Sequence, residues 1–290
     1  MWPALPLLVS ALVSGTHPAM ATHARAKLVF ENSGVAPGET LTAALVFDID
    51  RSWHLYWDGQ NDTGQPPTFD RAKLPAGVTV GDPQWPAPER QVLEGDIVDH
   101  IYATKLVILL PVTVAKDAKP GSMIKLDLPL QWMECASTCQ LGEATVSGSF
   151  KVVAKAADAK PTADAKVIET ARAALPARLP ADGSVKVEVG GDTLTITAAG
   201  ADGLTFMPAS GSTPLAHLAS EPVAKGPTLT AKLKPDPKAG SAAVVGILQV
   251  VKGKAKYWYS VDTRQKSAES KDKSNKTEPA HPASGTTPGR

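Results

Sequence analysis

Cysteine is nearly absent from this chain: Cys135 and Cys139 are the only two among 290 residues. A structural zinc site needs four ligands and therefore cannot be built from cysteine alone here. The chain also lacks an excess of either charge: its net charge is +1, and no cluster of basic residues precedes the C-terminal region. Neither a nucleic acid nor an anionic membrane surface is therefore an expected partner.

Long apolar runs are missing from the rest of the chain after the N-terminus. No segment there approaches the ~20 apolar residues needed to span a bilayer. Leu106–Val114 is too short, and its β-branched residues are typical of a buried strand. The serine-hydrolase elbow, the zinc-protease helix motif and the phosphate-binding glycine loop do not occur either. We therefore expect a soluble globular protein that does not span a membrane, with no metal and no cofactor.

Apolar residues do cluster at the N-terminus. A short apolar run over residues 1–13 is followed by Ala19-Met20-Ala21, which matches the A-x-A pattern of a cleavage site. A second such pattern, Ala24-Arg25-Ala26, lies just beyond, although no Lys or Arg precedes the apolar run. The alternative is a disordered apolar tail. We predict a signal peptide over 1–21, cleaved at the latest after residue 26, and a periplasmic protein in a compartment where disulfides persist.

Proline and glycine are frequent, with 25 and 23 residues, and they separate short apolar runs. This pattern favours many strands joined by turns over a helical protein. We therefore predict an all-β chain whose first β-domain covers residues 27–153. Its clearest strand candidates are Leu41–Ile49, Leu106–Val114, Ile124–Trp132 and Ala144–Val152.

One helix is predicted between two β-rich parts of the chain. Residues 154–180 contain a linker rich in Ala, Lys, Asp and Pro, followed by a helix over Ala165–Leu175 with its apolar residues on one stripe. A second, smaller β-domain is predicted over 181–262, where a Gly-Gly-Asp turn signals a hairpin. Residues 263–290 are polar and lack apolar periodicity, so a disordered tail is predicted there.

The strand that precedes the cysteines indicates where their side chains point. Leu126, Leu128, Leu130 and Trp132 share one face, and because successive side chains alternate, Cys135 falls on the opposite, polar face. The strand beginning at Ala144 is the expected hairpin partner, so the dithiol lies in the connection. A disulfide there requires Cα atoms within about 7 Å of each other. Closing so small a loop stabilises the protein by only about 2 kcal/mol.

On the residues alone, three roles stay open for this Cys-x-x-x-Cys pair. A staple that closes a hairpin tip is common in exported proteins. A redox couple fits an accessible pair in a short loop. A metal site would need further ligands such as His54, His100 or Met133, and these do not have the spacing of a structural zinc site.

Aromatic residues make up only 5% of the chain, yet several stand beside a stretch rich in Gly, Pro and Asn. Such clusters usually pack in the core or at its rim. Where they are exposed, Trp and Tyr serve as anchors for recognition. We predict a lid or docking rim formed by Trp53, Tyr56, Trp57 and Tyr102.

Several motifs occur together in one order along the first half of the chain. They are Trp53-His54-x-Tyr56-Trp57, Asp62-x-Gly64-x-Pro66-Pro67, Trp85-Pro86-x-Pro88-x-Arg90, Leu110-Pro111-Val112 and a strand that ends in Cys135-x-x-x-Cys139. Over about Lys27–Val153 this set resembles the N-terminal periplasmic domain of DsbD-type thiol–disulfide interchange proteins. The branch that includes the copper-sensitivity suppressor ScsB is the more similar one, and residues 202–208 resemble the second β-domain of that branch.

The resemblance implies an immunoglobulin-like β-sandwich in which Cys135 and Cys139 are the redox pair. By analogy with the family, the aromatic residues of the first half are expected to form a cap over this pair. It implies a thioredoxin-fold or DsbD-like membrane redox protein as the partner. The family's membrane electron channel and thioredoxin domain are not found in this sequence, so a separate protein is expected to supply the reductant. We therefore predict periplasmic thiol–disulfide exchange by a thiol:disulfide oxidoreductase. The alternative is a non-enzymatic docking module with a structural disulfide, bound to a redox or copper-handling partner.

Overall fold

The computed structural model describes residues 22–235 and 242–264. The predicted signal peptide, and residues 265–290 of the predicted tail, lie outside this described part. The strands of the first half, numbered in chain order, are β1 (Ala24–Phe30), β2 (Gly34–Val35), β3 (Thr40–Ile49), β4 (His54–Tyr56), β5 (Thr68–Phe69), β6 (Val78–Val80), β7 (Glu89–Leu93), β8 (Ile97–Ala103), β9 (Lys105–Val114), β10 (Met123–Cys135) and β11 (Cys139–Val152).

These strands form two sheets that pack face to face. The first has the order β1-β3-β9-β6; the second has the order β2-β11-β10-β4-β8-β7, with β5 also paired to β10. Alternation in β10 buries Leu126, Leu128 and Trp132 against residues of the first sheet such as Phe47. The rings of Phe47 and Trp132 meet edge to face at 5.4 Å. The core of the sandwich lies between these two inner faces.

The first sheet is covered on its outer face as well. The helix α1 (Ala165–Ala173) packs Ile168 and Ala171 against Ala44 and Val46 of β3. Because both faces of β3 are covered, the run Ala43–Phe47 is buried at every position instead of alternating. The predicted helix is present and ends two residues early. At nine residues, this one α-helix of the described residues is too short to cross a bilayer.

The second half is again built from strands, which we call the second β-region. Its sheets have the orders β12-β19-β18-β15-β16 and β13-β14-β17. The predicted hairpin is present, with Gly191 at φ +61° in the turn between β13 and β14, where glycine meets no steric penalty. The strands are β12 (Ala177–Arg178), β13 (Val185–Gly190), β14 (Thr193–Ala198), β15 (Gly203–Pro208), β16 (Val223–Lys225), β17 (Thr228–Lys232), β18 (Val245–Lys252) and β19 (Ala255–Asp262).

The two halves share part of their apolar core. Met207 and Ile247 of the second β-region join the buried cluster of the sandwich, beside Trp57. The prediction of an all-β fold is confirmed for the described residues, with an immunoglobulin-like sandwich, a second β-region and one connecting helix. The second β-region therefore packs directly on the part of the sandwich that follows β4.

Candidate functional site

The two cysteines close the longest hairpin of the sandwich. β10 and β11 pair in an antiparallel register that ends with Cys135 opposite Cys139. Their Cα atoms are 4.1 Å apart and the side chains form a disulfide, so the distance condition for bridging is met. The backbone N–H of Ala136 donates to the carbonyl of Thr138 at 3.0 Å and tightens the turn between them. The predicted hairpin partner is confirmed, and its strand begins five residues earlier than Ala144.

The two sulfurs lie in different surroundings. Cys135 is only 1% exposed and belongs to a small apolar cluster with Tyr56, Ile101 and the partly buried Met133. This cluster is separate from the sandwich core, so Cys135 lies on the outer face of the sheet. Cys139 is exposed. An incoming thiolate can therefore approach Cys139, whereas Cys135 is shielded by its neighbours.

The side chain of Tyr56 contacts the disulfide through its hydroxyl. Its hydroxyl lies 3.8 Å from Sγ of Cys139, within the range of a weak hydrogen bond to sulfur. The same hydroxyl is 3.3 Å from Nε2 of His54 and 3.2 Å from Oγ1 of Thr63. Thr63 in turn donates to the buried carboxylate of Asp99 at 2.5 Å. A continuous polar chain thus runs from the exposed sulfur to a buried carboxylate.

Burial keeps the two titratable side chains of this hydrogen-bonded series that lie nearest the sulfur, Tyr56 and His54, uncharged. Burial raises the pKa of the Tyr56 phenol, so the hydroxyl keeps its proton at neutral pH. Burial also lowers the pKa of His54, although the negative charge of Asp99 opposes this shift. At neutral pH the exposed sulfur therefore faces a neutral hydroxyl, whose single proton can point to Thr63 or to the sulfur, and a neutral imidazole lies behind it.

Gly64 allows the loop that follows β4 to pack against the ring of Tyr56. A Cβ atom at Gly64 would come within 2.1 Å of the Tyr56 ring, a distance that no side chain can tolerate. Only glycine therefore fits at this position while Tyr56 stays on the disulfide. The loop and the tyrosine form one packed layer beside the sulfurs.

Comparison with known proteins bears on this arrangement. Residues 25–150 match the family model described as the N-terminal domain of the thiol:disulfide interchange protein DsbD. Residues 25–150 are a DsbD-type N-terminal domain. The family resemblance expected from the motifs is confirmed. Such domains are parts of thiol:disulfide interchange proteins, which fits a bonded cysteine pair at the site.

The solved structures similar to the chain include two N-terminal domains. The N-terminal periplasmic domain of ScsB from Proteus mirabilis is 15% identical, with a TM-score of 0.52 over 85% of this chain and 95% of that one. At 15% identity, this similarity supports a shared fold and nothing more. The DsbD N-terminal domain of Neisseria meningitidis, in reduced form, is 18% identical, with a TM-score of 0.24 over 43% of this chain and 90% of that one. The search of curated proteins gave no match.

The structure corrects the predicted cap of the DsbD-type domain. Of the four aromatic residues, only Tyr56 reaches the disulfide. Strand alternation turns Trp57 and Tyr102 to the inner face, where they are buried in the sandwich core and can form neither a cap nor a docking rim. Trp53 packs at the edge of that core and stacks on His23, with ring centroids 3.8 Å apart.

Glu134 is a buried residue of the DsbD-type domain whose role the sequence did not reveal. It is 0% exposed and lies on the core side of β10. Its two oxygens accept hydrogen bonds from four donors at 2.7–2.9 Å, which matches the acceptor capacity of a carboxylate. The donors are the backbone N–H groups of His23 and Ala24, the indole of Trp132 and the side chain of Gln140.

Metal ligands are not gathered at the site. Within residues 22–235 and 242–264, no group of three or more His, Cys, Asp or Glu side chains is placed to hold an ion. His54 contacts the hydroxyl of Tyr56, which in turn contacts the disulfide. His100 instead bonds to Gln60 in the loop after β4.

His100 is buried on β8 of the DsbD-type domain. Its Nδ1 donates to the carbonyl of Gln60 at 3.0 Å, and its Nε2 has no hydrogen-bond partner among the described residues. Burial lowers the pKa of His100 to about 4, helped by the nearby charge of Arg90. The folded protein therefore holds this imidazole neutral at pH values where an unfolded chain would protonate it.

Acidification is expected to destabilise the fold through His100. Between pH 6.5 and about 4 the unfolded chain binds a proton that the folded chain does not, so stability is highest above this window and falls as pH drops through it. The loss reaches about 3 kcal/mol at the lower end. Urea unfolding at neutral and acidic pH measures it. The His100→Asn variant keeps a donor for Gln60 and should show a shallower pH dependence; an equal slope would contradict this assignment.

Proposed function

We propose that the chain exchanges electrons with a partner thiol protein through the Cys135–Cys139 disulfide, and that Cys139 is the sulfur attacked. The observation that carries this proposal is the unequal burial of the two sulfurs at the end of a hairpin. A disulfide whose only task is to staple strands needs no exposed sulfur. Exchange requires one sulfur that a partner can reach and a second that is held close enough to resolve the intermediate.

The first exchange reduces the chain. A thiolate of a dithiol partner attacks Sγ of Cys139, the bond to Cys135 breaks, and Cys135 leaves as a thiolate that takes a proton. The second thiolate of the partner then attacks its own bridged sulfur and releases Cys139. The partner dithiol is oxidised to a disulfide, and both cysteines of this chain are reduced, so two electrons have passed.

The second exchange passes these electrons on. The thiolate of Cys139 attacks a client disulfide and forms a mixed disulfide, releasing one client thiolate. Cys135 then attacks Sγ of Cys139, which restores the original bond and frees the second client thiol. The hydroxyl of Tyr56, close to Cys139, is placed to donate to this sulfur while it carries negative charge.

Transfer to an oxidised thioredoxin-fold protein tests the proposed function. The chain is reduced, freed of reductant and mixed with an equal amount of that protein, and free thiols are then alkylated with a mass label. We expect thiols to disappear from this chain and appear in the partner. The Cys135→Ser/Cys139→Ser variant is the control and should transfer nothing. A wild-type chain that keeps its thiols while the partner stays oxidised would favour the docking-module alternative.

We also propose that the chain is exported and that its signal peptide ends at Ala21, before the alternative site at Ala26. Loss of residues 22–26 would remove the N–H groups of His23 and Ala24 that bind the buried Glu134. The mass of the protein purified from the periplasm of an expressing bacterium is expected to correspond to a chain starting at Thr22. A mass corresponding to a start at Lys27 would contradict the proposal.

A further inference from the structure

The segment Asp58–Gly64, here called the bridging loop, connects the disulfide face of the sandwich to the second β-region. At its beginning, Gly59 forms an isolated β-bridge with Ala209, just after β15. The side chain of Gln60 reaches further into the same region and donates to the carbonyl of Ser212 at 3.2 Å. The first half of the bridging loop is therefore held by the second β-region.

The other end of the bridging loop holds Tyr56. Thr63 bonds to the hydroxyl of Tyr56 at 3.2 Å, and Gly64 lies against its ring. Tyr56 in turn contacts Cys139 and packs with Cys135. Only two residues separate Gln60 from Thr63.

Those two residues are fixed as well. The side chain of Asn61 donates to the carbonyl of Trp57 and accepts from the N–H of His100, at 2.9 and 2.8 Å. The N–H groups of Asp62 and Thr63 both donate to the carboxylate of Asp99. His100 also donates to the carbonyl of Gln60, so Gln60 and Thr63 are held by adjacent residues of β8, and a displacement of Gln60 disturbs the network that holds Thr63.

We propose that the second β-region positions Tyr56 on the disulfide through the bridging loop, with Gln60 as the positioning residue. The proposal rests on the proposed exchange at Cys139, because Tyr56 shields one side of the sulfurs that exchange uses. Weakening the hold on Gln60 should loosen Tyr56 and open the disulfide to reductants. The second β-region would thereby set how fast the pair is reduced.

The rate of disulfide reduction by dithiothreitol tests this. Dithiothreitol supplies two electrons, closes to its cyclic disulfide and leaves both cysteines as thiols, which alkylation then counts. The Gln60→Ala variant is expected to be reduced about threefold to tenfold faster, the factor that one lost hydrogen bond gives. Ser210→Ala removes the hydrogen bond to Asp58 at the start of the bridging loop, and serves as a second variant should Gln60→Ala fail to fold.

Arg90→Ala is the matched control. Arg90 donates to the carbonyls of Leu218 and Ala219, so it joins the same two parts of the chain without a hydrogen bond to the bridging loop. Its rate should stay at the wild-type value. An acceleration as large as that of Gln60→Ala, or an unchanged rate in Gln60→Ala, would overturn the proposal.

A double-mutant cycle tests whether Gln60 acts on Tyr56 through Thr63. Thr63→Val removes the hydrogen bonds of the Thr63 hydroxyl to Tyr56 and Asp99, so combining it with Gln60→Ala should add little beyond either single variant. Fully multiplicative effects would show that the two residues act separately and would also overturn the proposal. Dithiothreitol needs no protein partner, so this result stands apart from the transfer test: a disulfide that never exchanges with a partner would still show the effect.

Discussion

A Cys135→Ala variant is expected to form mixed disulfides readily, whereas Cys139→Ala is expected to form them about tenfold more slowly or not at all, since thiol reactivity follows exposure. Cys139 is exposed and Cys135 is 1% exposed among apolar side chains. With Cys135 removed, the thiolate of Cys139 can attack a partner disulfide, but no second thiol is present to resolve the product. The mixed disulfide should therefore accumulate.

Oxidised glutathione is a suitable probe for this asymmetry, because the added mass of one glutathione reports the mixed disulfide directly. Each variant is the matched control of the other, since both lack the native disulfide and both keep one thiol. Time courses by mass spectrometry give the two rates. Equal rates, or a faster reaction in Cys139→Ala, would show that the attacked sulfur has been assigned wrongly.

Replacing Glu134 by alanine is expected to cost about 2–6 kcal/mol of unfolding free energy, because a donor left buried and unpaired costs about 1–3 kcal/mol. Two of its four donors, the N–H of Ala24 and the indole of Trp132, would stay buried without their acceptor. The other two, from His23 and Gln140, are partly exposed and can turn to water. Urea unfolding of the oxidised protein measures the loss.

Glu143 provides the control for this prediction. It lies on β11, in the same hairpin, and its side chain is exposed. The Glu143→Ala variant should change stability by no more than about 0.5 kcal/mol, as is usual for surface positions. A Glu134→Ala variant as stable as Glu143→Ala would mean that water enters the site and replaces the lost acceptor.

The position of the cysteine pair in a hairpin and the face of Cys135 could be predicted because they depend on local sequence. Alternation along Leu126–Trp132 is a period-two signal, and it carries on to place Cys135 on the outer face. The hairpin follows from two adjacent alternating segments joined by a short turn. The helix is similarly local, since its apolar stripe is read from the residues that form it. These features require no knowledge of distant parts of the chain.

The neighbours of the disulfide could not be predicted in the same way. Tyr56 reaches Cys139 only because β4 pairs with β10 in one register, with His54 opposite Cys135, and sequence alternation cannot set a register between strands so far apart. Alternation within Trp53–Trp57 does separate Tyr56 from the two tryptophans, and this signal could have removed both tryptophans from the predicted cap. The partners of Glu134 at His23 and Ala24 are more than 100 residues away in sequence.

The contacts of the bridging loop could not be predicted from local sequence either. Its composition, rich in Gly, Asn and Asp, predicts a loop. Its contacts with Ala209 and Ser212 depend on how the second β-region packs on the sandwich. No pattern within the loop indicates that packing. Long-range contacts of this kind determine the site, whereas local patterns determine the elements that carry it.

The reduction potential of the Cys135–Cys139 pair tests the central claim most directly. The purified protein is equilibrated in glutathione and dithiothreitol buffers of defined potential, and the thiols are then alkylated and counted by mass. A pair that relays electrons should be half reduced at a potential between about −300 and −120 mV, the range of exchanging dithiols. A pair that remains oxidised below about −300 mV would behave as a structural disulfide. That result would contradict the account.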